Sequence, residues 1–131
     1  MIGLDTNVLV RLIVEDDPAQ TALAKRFVAK QCTPDAPGFV NCIVLAEFAW
    51  VLRRHGYDRA AIAAIVERLV DGRDRRVDHQ GEVIAALLDH KAGRLDLVDS
   101  LIGHINRARG CTATATFDRK AARLDGFVMV G

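Results

Sequence analysis

Four carboxylates stand where acidic side chains could bind a metal ion: Asp5, Glu47, Asp99 and Asp118. Asp5 directly follows a short apolar segment, so it lies at the carboxyl end of a predicted strand. Asp118 stands in the same relation to the β-rich segment Thr112 to Thr116. Open α/β sheets bind ligands at the carboxyl ends of their strands. The alternative for each aspartate taken alone is an ordinary helix N-cap.

Glu47 is the only charged residue in the apolar segment from Cys42 to Leu52. Burying an unpaired carboxylate costs several kcal/mol, so such a residue needs a cation, a hydrogen-bonding partner or water. One interpretation is a metal site. The other is that Glu47 lies on a narrow solvated edge of the helix or pairs with an arginine. The apolar surroundings favour the metal site.

Asp96 and Asp99 fall in the first turn of a helix predicted from Leu97 to Arg107. The exposed N–H groups and the positive end of the helix dipole favour ionised carboxylates there. Asp99 lies beyond the Ile102 edge of the apolar stripe, beside Asn106, and could reach a cleft. Asp96 points further from the stripe and fits capping or the support of a ligand. A capping box formed by the two aspartates is the alternative.

If the four acids converge, their mutual repulsion requires a cation. Two like charges about 4 Å apart repel by roughly 4 kcal/mol at an effective dielectric near 20. Oxygen ligands favour Mg²⁺ or Mn²⁺, whereas zinc would favour cysteine and histidine. Such an ion can hold a phosphodiester, activate water and stabilise the leaving oxygen. The four acids therefore predict hydrolysis of a phosphodiester.

Length and composition limit the class of protein. The chain has 131 residues, 50% of them apolar, which predicts one domain over residues 1–131. Its net charge of +1 excludes binding to nucleic acid through overall charge alone. The three cysteines lack zinc-site spacing and are expected to be reduced thiols. No signal peptide and no apolar run near the roughly 20 residues of a membrane span is found, so we expect a soluble, cytoplasmic protein.

Short apolar segments alternate with amphipathic helical patterns along the chain. This alternation predicts an α/β fold with a parallel sheet and helices on both faces. Helices are predicted from Asp17-Pro18 to about Lys30, from Cys42 to Arg54 after an Asn41 cap, after an Asp58 cap, around Val83 to Leu88, over Leu97 to Ile105, and over Arg119 to Leu124. Strands are predicted at Ile2 to Leu4, Phe39-Val40, Arg76-Val77, Thr112 to Thr116 and Phe127 to Val130.

Four segments carry a family resemblance: Leu4 to Leu9, Leu45 to Phe48, Asp96 to Ile102, and Thr116 to Asp118. Together, in this order and spacing, they resemble the PIN-domain nucleases, most closely the VapC toxins of bacterial type II toxin–antitoxin pairs. The resemblance covers nearly the whole chain. It implies a PIN fold, a three-layer α/β/α sandwich on a short central parallel sheet. It also implies endonucleolytic cleavage of RNA that depends on Mg²⁺ or Mn²⁺.

The resemblance also implies roles and partners. Asp5 and Asp99 match the acids most often described as metal ligands, and Glu47 and Asp118 complete the set. Family members are typically homodimers, and a VapB-type antitoxin drives a C-terminal segment into the acidic cleft, often with an arginine facing the acids. DNA is reached only through the antitoxin. Residues that match supporting positions are Thr6, Asn7, Thr116 and, less constantly, Asp96, whereas Ser100 and Gly103 stand where many relatives carry alanine.

Three other functions remain open from the residues. One is a catalytically silent PIN domain that only binds its antitoxin or another partner. A phosphoryl-transfer domain would also gather acids at strand ends, but Asp5 lacks an Asp-x-Asp partner and Glu47 has no role there. A serine hydrolase using Ser100 and His104 lacks the Gly-x-Ser-x-Gly turn and would mount its nucleophile in mid-helix.

RNA contacts are less specific in the sequence than the acids. Basic residues that could contact phosphates are Arg53, Arg54, Arg73, Arg75, Arg76, Arg107, Arg109, Arg119, Lys120 and Arg123. Aromatic residues that could stack on bases are Phe39, Phe48, Trp50, Tyr57 and Phe117, most of which are expected in the core. Which RNA is cut does not follow from these residues.

Overall fold

A computed structural model describes all 131 residues, which form two compact units. The N-terminal unit, Met1–Asp78, contains strands and helices in alternation. Its elements are β1 (Ile2–Gly3), α1 (Thr6–Ile13), α2 (Pro18–Gln31), β2 (Gly38–Val40), α3 (Cys42–Arg54), α4 (Arg59–Asp71) and β3 (Arg75–Val77).

The predicted helix starts in this unit are confirmed. Asp17 accepts a hydrogen bond from the Gln20 N–H at 3.1 Å, and Pro18 occupies the first position of α2, where its missing N–H costs nothing. The Asn41 side chain accepts from the Val44 N–H at 2.9 Å to start α3. Asp58 starts α4 by accepting from the Ala61 N–H at 2.8 Å. Each cap satisfies a backbone donor that the helix leaves without a partner.

The three strands of the N-terminal unit form a parallel sheet in the order β1-β2-β3. Ile2 pairs with Gly38, and Gly38 pairs with Arg75 on its other side. Helix α1 packs on α3 and on α2, and α4 packs on β3. The side chains that fill this interior include Leu9, Val40, Leu45, Phe48, Leu52 and Val66, each at most 1% exposed.

The C-terminal unit, His79–Gly131, is built on two packed helices. Its elements are α5 (Gln80–Lys91), α6 (Leu97–Ala108), β4 (Thr114–Thr116), α7 (Arg119–Ala122) and β5 (Phe127–Met129). Strands β4 and β5 pair in parallel. The α5–α6 contact buries Val83, Ala86, Leu87, Leu97 and Leu101.

The structure differs from the sequence predictions mainly at element ends. Helix α1 was not among the predicted helices, although the alternative of Asp5 as an N-cap implied a helix at this place. The first strand ends at Gly3, before the expected Leu4. The last helix is also shorter than expected, since α7 ends at Ala122. None of the helices is long and apolar enough to cross a membrane.

Gly38 in β2 allows the side chains of Cys32 and Leu4 to approach the backbone of the sheet closely. Its substitution tests this close packing. A Cβ atom at this position would lie 2.8 Å from Cys32 Sγ and 2.9 Å from Leu4 Cδ1. We expect Gly38→Ala to lower the free energy of unfolding by about 1–3 kcal/mol, the usual cost of overpacking. Urea titration followed by circular dichroism measures the change. Gly3→Ala is the matched control, because a Cβ there meets no atom within 4 Å.

Candidate functional site

Asp5 lies between the end of β1 and the start of α1 in the N-terminal unit. Its Oδ1 accepts a hydrogen bond from the Thr6 N–H at 2.8 Å, which makes it the N-cap of α1. The N-cap interpretation of Asp5 is therefore correct. It does not compete with metal binding, since one carboxylate oxygen takes the backbone N–H and the side chain remains exposed.

Glu47 lies on the exposed side of α3. Leu45, Phe48 and Leu52 bury the opposite side of the helix. Trp50, three residues along on the side of Glu47, is 57% exposed. The argument that Glu47 needs a cation because it is buried is therefore wrong, and the solvated-edge interpretation describes its surroundings. What remains is an exposed carboxylate on a helix that packs against α1, the helix capped by Asp5.

Asp99 and Asp96 open α6 in the C-terminal unit. Asp99 lies in the first turn and is exposed, whereas Ser100 and Leu101 beside it are buried. Asp96 occupies the N-cap position, but its side chain makes no capping hydrogen bond. Asp96 therefore does not make the N-cap hydrogen bond that a capping box with Asp99 requires. The first-turn position still places the Asp99 carboxylate near the positive end of the helix dipole.

Asp118 lies between β4 and α7 and is exposed. Its Oδ1 accepts a hydrogen bond from the Lys120 N–H at 2.9 Å, which caps α7. The Thr116 hydroxyl oxygen accepts from the Asp118 N–H at 3.0 Å. The backbone and side chain of Asp118 are both held by neighbours two residues away, so the direction of the carboxylate is fixed locally. Among the supporting residues, Thr6 is buried at the start of α1 and Asn7 is exposed.

The donor chemistry of these four acids fits a hard divalent cation. All four side chains are exposed, so their carboxylate oxygens are accessible to an ion from solvent. Mg²⁺ and Mn²⁺ take carboxylate oxygens and keep several waters. Asp5 and Glu47 offer such oxygens in the N-terminal unit, and Asp99 and Asp118 offer them in the C-terminal unit.

Asp89, which sequence reasoning did not single out, is the centre of a hydrogen-bond cluster in the C-terminal unit. Its Oδ2 accepts from the Ser100 hydroxyl and from His104 Nε2, each at 2.8 Å. Arg94 donates to Oδ1 at 3.3 Å. The cluster joins residues of two helices, since Asp89 is on α5 and Ser100 and His104 are on α6. A pattern within one helix therefore does not reveal it.

The Asp89 cluster bears on the serine hydrolase alternative. The Ser100 hydroxyl donates to Asp89, and the structure gives it no bond to His104. Ser100 is also 2% exposed. A catalytic serine must be exposed and bonded to its base. The arrangement therefore argues against this alternative.

Two aromatic residues close to the acids in sequence are exposed, although most of the aromatic candidates were expected in the core. Phe117, which precedes Asp118, is 78% exposed, and Trp50 is 57% exposed. The Arg54 guanidinium lies over the Trp50 ring, 4.8 Å from its centroid. Phe48, by contrast, is fully buried. Trp50 and Phe117 are thus the two of these side chains best exposed for contact with a base.

Comparison with known proteins identifies the class. A family model of the PIN domain matches residues 2–127. The chain therefore belongs to the PIN-domain family, the class of nucleases that the four acidic motifs resembled. The short parallel strands alternating with helices agree with the expected PIN-type α/β fold, which is confirmed.

The chain is similar to the Mycobacterium tuberculosis toxin VapC20, described as cleaving the sarcin–ricin loop, with 25% sequence identity and a TM-score of 0.47. That match covers 94% of this chain and 95% of the other. A search of curated proteins finds no match.

Asp89 gives the C-terminal unit a stability that depends on pH. Burial raises the pKa of the Asp89 carboxyl, but hydrogen bonds from His104, Ser100 and Arg94 outweigh burial and hold that pKa below its ordinary value. Because the pKa is lower in the folded state than in the unfolded state, the ionised carboxylate stabilises the fold above pH ~4. This contribution is lost as pH falls through the folded pKa.

We expect Asp89→Asn to lower the melting temperature at pH 7, and we expect the difference from wild type to shrink as pH falls below ~4. Thermal unfolding at a series of pH values measures both. Asp35→Asn, in an exposed loop, is the control and should follow the wild-type curve. A difference that stays constant down to acid pH would contradict the role of the ionised carboxylate.

Proposed function

We propose that this protein is an endoribonuclease of the VapC toxin type that cuts RNA with Mg²⁺ or Mn²⁺ held by Asp5, Glu47, Asp99 and Asp118. The observation that carries the proposal is membership of the PIN family over residues 2–127 by a chain that retains all four acids with exposed side chains. Four exposed carboxylates that met at one site would repel one another without a cation, which a metal-dependent enzyme supplies.

The residues of the chain prepare the acids for this role. The backbone N–H groups of Thr6 and Lys120 donate to Asp5 and Asp118, which fixes the direction of both carboxylates. Asp99 lies in the first turn of α6, where the helix dipole attracts negative charge. When bound, the metal supplies a Lewis acid for the phosphodiester and a water of lowered pKa as nucleophile.

The partners of this function follow from its chemistry. The substrate is RNA, whose phosphates need cations and whose unpaired bases need stacking surfaces such as Trp50 and Phe117. A VapB-type antitoxin would neutralise the enzyme by placing a basic residue against the four carboxylates. We propose that the protein acts as a homodimer in the cytoplasm, as a single PIN domain over residues 1–131. A stably folded but inactive partner-binding domain is the second candidate, which the assay below separates.

The first test is cleavage of mixed RNA. We expect the wild type to cut RNA in Mn²⁺ and to lose the activity in EDTA. Asp5→Asn and Glu47→Gln should each lower the rate at least about a hundredfold, since each removes a metal ligand while keeping the size of the side chain. The rate is measured from fluorescent fragments resolved by electrophoresis.

Asp35→Asn is the control for charge, because Asp35 is an exposed acid in a loop outside the set, and it should cut as fast as wild type. Equal cleavage by the wild type, Asp5→Asn and Glu47→Gln would overturn the four-acid mechanism. Wild-type protein that folds but cuts no RNA in either metal would favour the silent, partner-binding function.

The second test measures metal binding without turnover. Because an ion that binds only the folded state stabilises it, Mg²⁺ or Mn²⁺ at about a hundred times its Kd should add ~2.7 kcal/mol and raise the melting temperature. Asp99→Asn should weaken this effect. Paramagnetic Mn²⁺ should also quench Trp50, the only tryptophan, which lies one turn from Glu47.

Glu47→Gln separates local binding from general quenching. We expect Mn²⁺ to quench Trp50 less in this variant than in wild type, and diamagnetic Mg²⁺ to raise the melting temperature without quenching. Equal Mn²⁺ quenching in both proteins would remove Glu47 from the ligand set. A melting temperature that neither ion changes would show that the acids bind no metal.

A further inference from the structure

A cavity of about 440 Å³ lies within the C-terminal unit. One wall is a face of α6, formed by side chains three or four residues apart: Ser100, Gly103, His104 and Arg107. Asp89, Arg94 and residues 123–127, which lead into β5, also line the cavity. Asp99 does not line it. The volume of the cavity suits a small ligand.

The cavity contains two arginines whose charges are not used within the unit. The side chains of Arg107 and Arg123 make no hydrogen bond or ion pair with another residue. Arg94 pairs with Asp89, which also accepts from Ser100 and His104, so the negative charge of Asp89 already has three donors. The unpaired guanidiniums therefore leave the cavity with the potential to bind an anion. Guanidinium groups bind phosphate through paired hydrogen bonds.

Two glycines make room for the groups that line this cavity. A Cβ at Gly126 would lie 2.7 Å from Arg107 Nη2, and the residue has a φ of +90°, which disfavours other residues. A Cβ at Gly103 would lie 2.6 Å from Cζ of Phe127. The guanidinium of Arg107 thus lies against bare backbone, and the Phe127 ring lies against the helix. Glycine at position 103 permits this close approach.

The combination of cations and an aromatic ring narrows the choice of ligand. An acidic peptide segment would use the guanidiniums but has no need of the Phe127 ring. A nucleotide uses both, because its phosphate pairs with arginine and its ribose and base need an apolar wall. We propose that this cavity binds one nucleotide of an RNA strand, with the phosphate on Arg107 and Arg123 and the sugar or base against Phe127. The inference rests on the proposed function only in taking RNA as the ligand.

The test is RNA binding under conditions that exclude cleavage. A short fluorescein-labelled single-stranded RNA is titrated with protein in EDTA, and fluorescence anisotropy gives Kd at salt concentrations from about 50 to 200 mM. Arg107→Ala and Arg123→Ala should each raise Kd about tenfold, the effect of losing a charged hydrogen bond. The double variant should lower the slope of log Kd against log salt by at least ~0.7, which corresponds to one phosphate contact on a single strand.

Matched variants separate this cavity from general charge. Arg109→Ala removes an exposed arginine next to the end of the same helix but outside the cavity, so Kd should hardly change. Asp125→Asn removes an acid that lines the cavity, so binding should tighten, whereas Glu82→Gln elsewhere in the unit should not tighten it. Arg123 is exposed, so its substitution keeps the test valid if Arg107→Ala fails to fold.

Several results would overturn the proposal. They are a wild type that does not bind RNA in EDTA, cavity variants that bind as wild type does, or an Arg109→Ala variant as weak as Arg107→Ala. A polyglutamate peptide serves as a competitor for the labelled RNA. If the peptide displaces no RNA, the result supports RNA as the ligand. If the peptide binds the cavity while RNA binding is unaffected, the cavity belongs to a protein partner. Because no turnover is measured, loss of nuclease activity with intact cavity-dependent binding would refute the proposed function and leave this inference standing.

Discussion

Two of the four candidate acids, Asp5 and Asp118, are held in position at helix N-termini, because the strands that precede them are too short to do so. No strand exceeds three residues, and β1 has two. A strand of that length fixes few hydrogen bonds, so the chain that leaves it needs another constraint. Asp5 and Asp118 supply this constraint themselves by accepting backbone N–H groups at the first turns of α1 and α7. The same hydrogen bond therefore starts the helix and orients the carboxylate.

This dual use removes an apparent choice between structure and chemistry. A carboxylate has two oxygens and about four acceptor positions, and an N-cap bond occupies one of them. Capping and metal binding can therefore coexist at Asp5 and Asp118. Evidence that an acid caps a helix is not evidence against its role in a metal site.

The sequence predicted the elements better than the surroundings of single residues. The starts of α2, α3 and α4 were predicted because Asp17, Asn41 and Asp58 announce them through local hydrogen bonds. Helix α1 and the exposure of Glu47 were missed for a different reason. Apolar composition shows that a segment packs somewhere, but only the tertiary arrangement determines which side of α3 is covered.

The Asp89 cluster and the cavity beside it lie outside what local patterns show. Asp89 is on α5, Ser100 and His104 are on α6, and Phe127 comes from β5, so their meeting depends on how α5 and β5 pack against α6.

The caps also decide which substitutions can separate chemistry from folding. Alanine at Asp5 or Asp118 would remove the proposed metal ligand and the capping acceptor together, and the lost cap alone costs about 1 kcal/mol. Asparagine keeps an oxygen that accepts the same N–H and is an equally good N-cap. It changes only the charge that a cation requires. An aspartate-to-asparagine variant that stays folded and loses metal binding therefore reports on the carboxylate as a ligand, whereas an alanine variant reports on both roles at once.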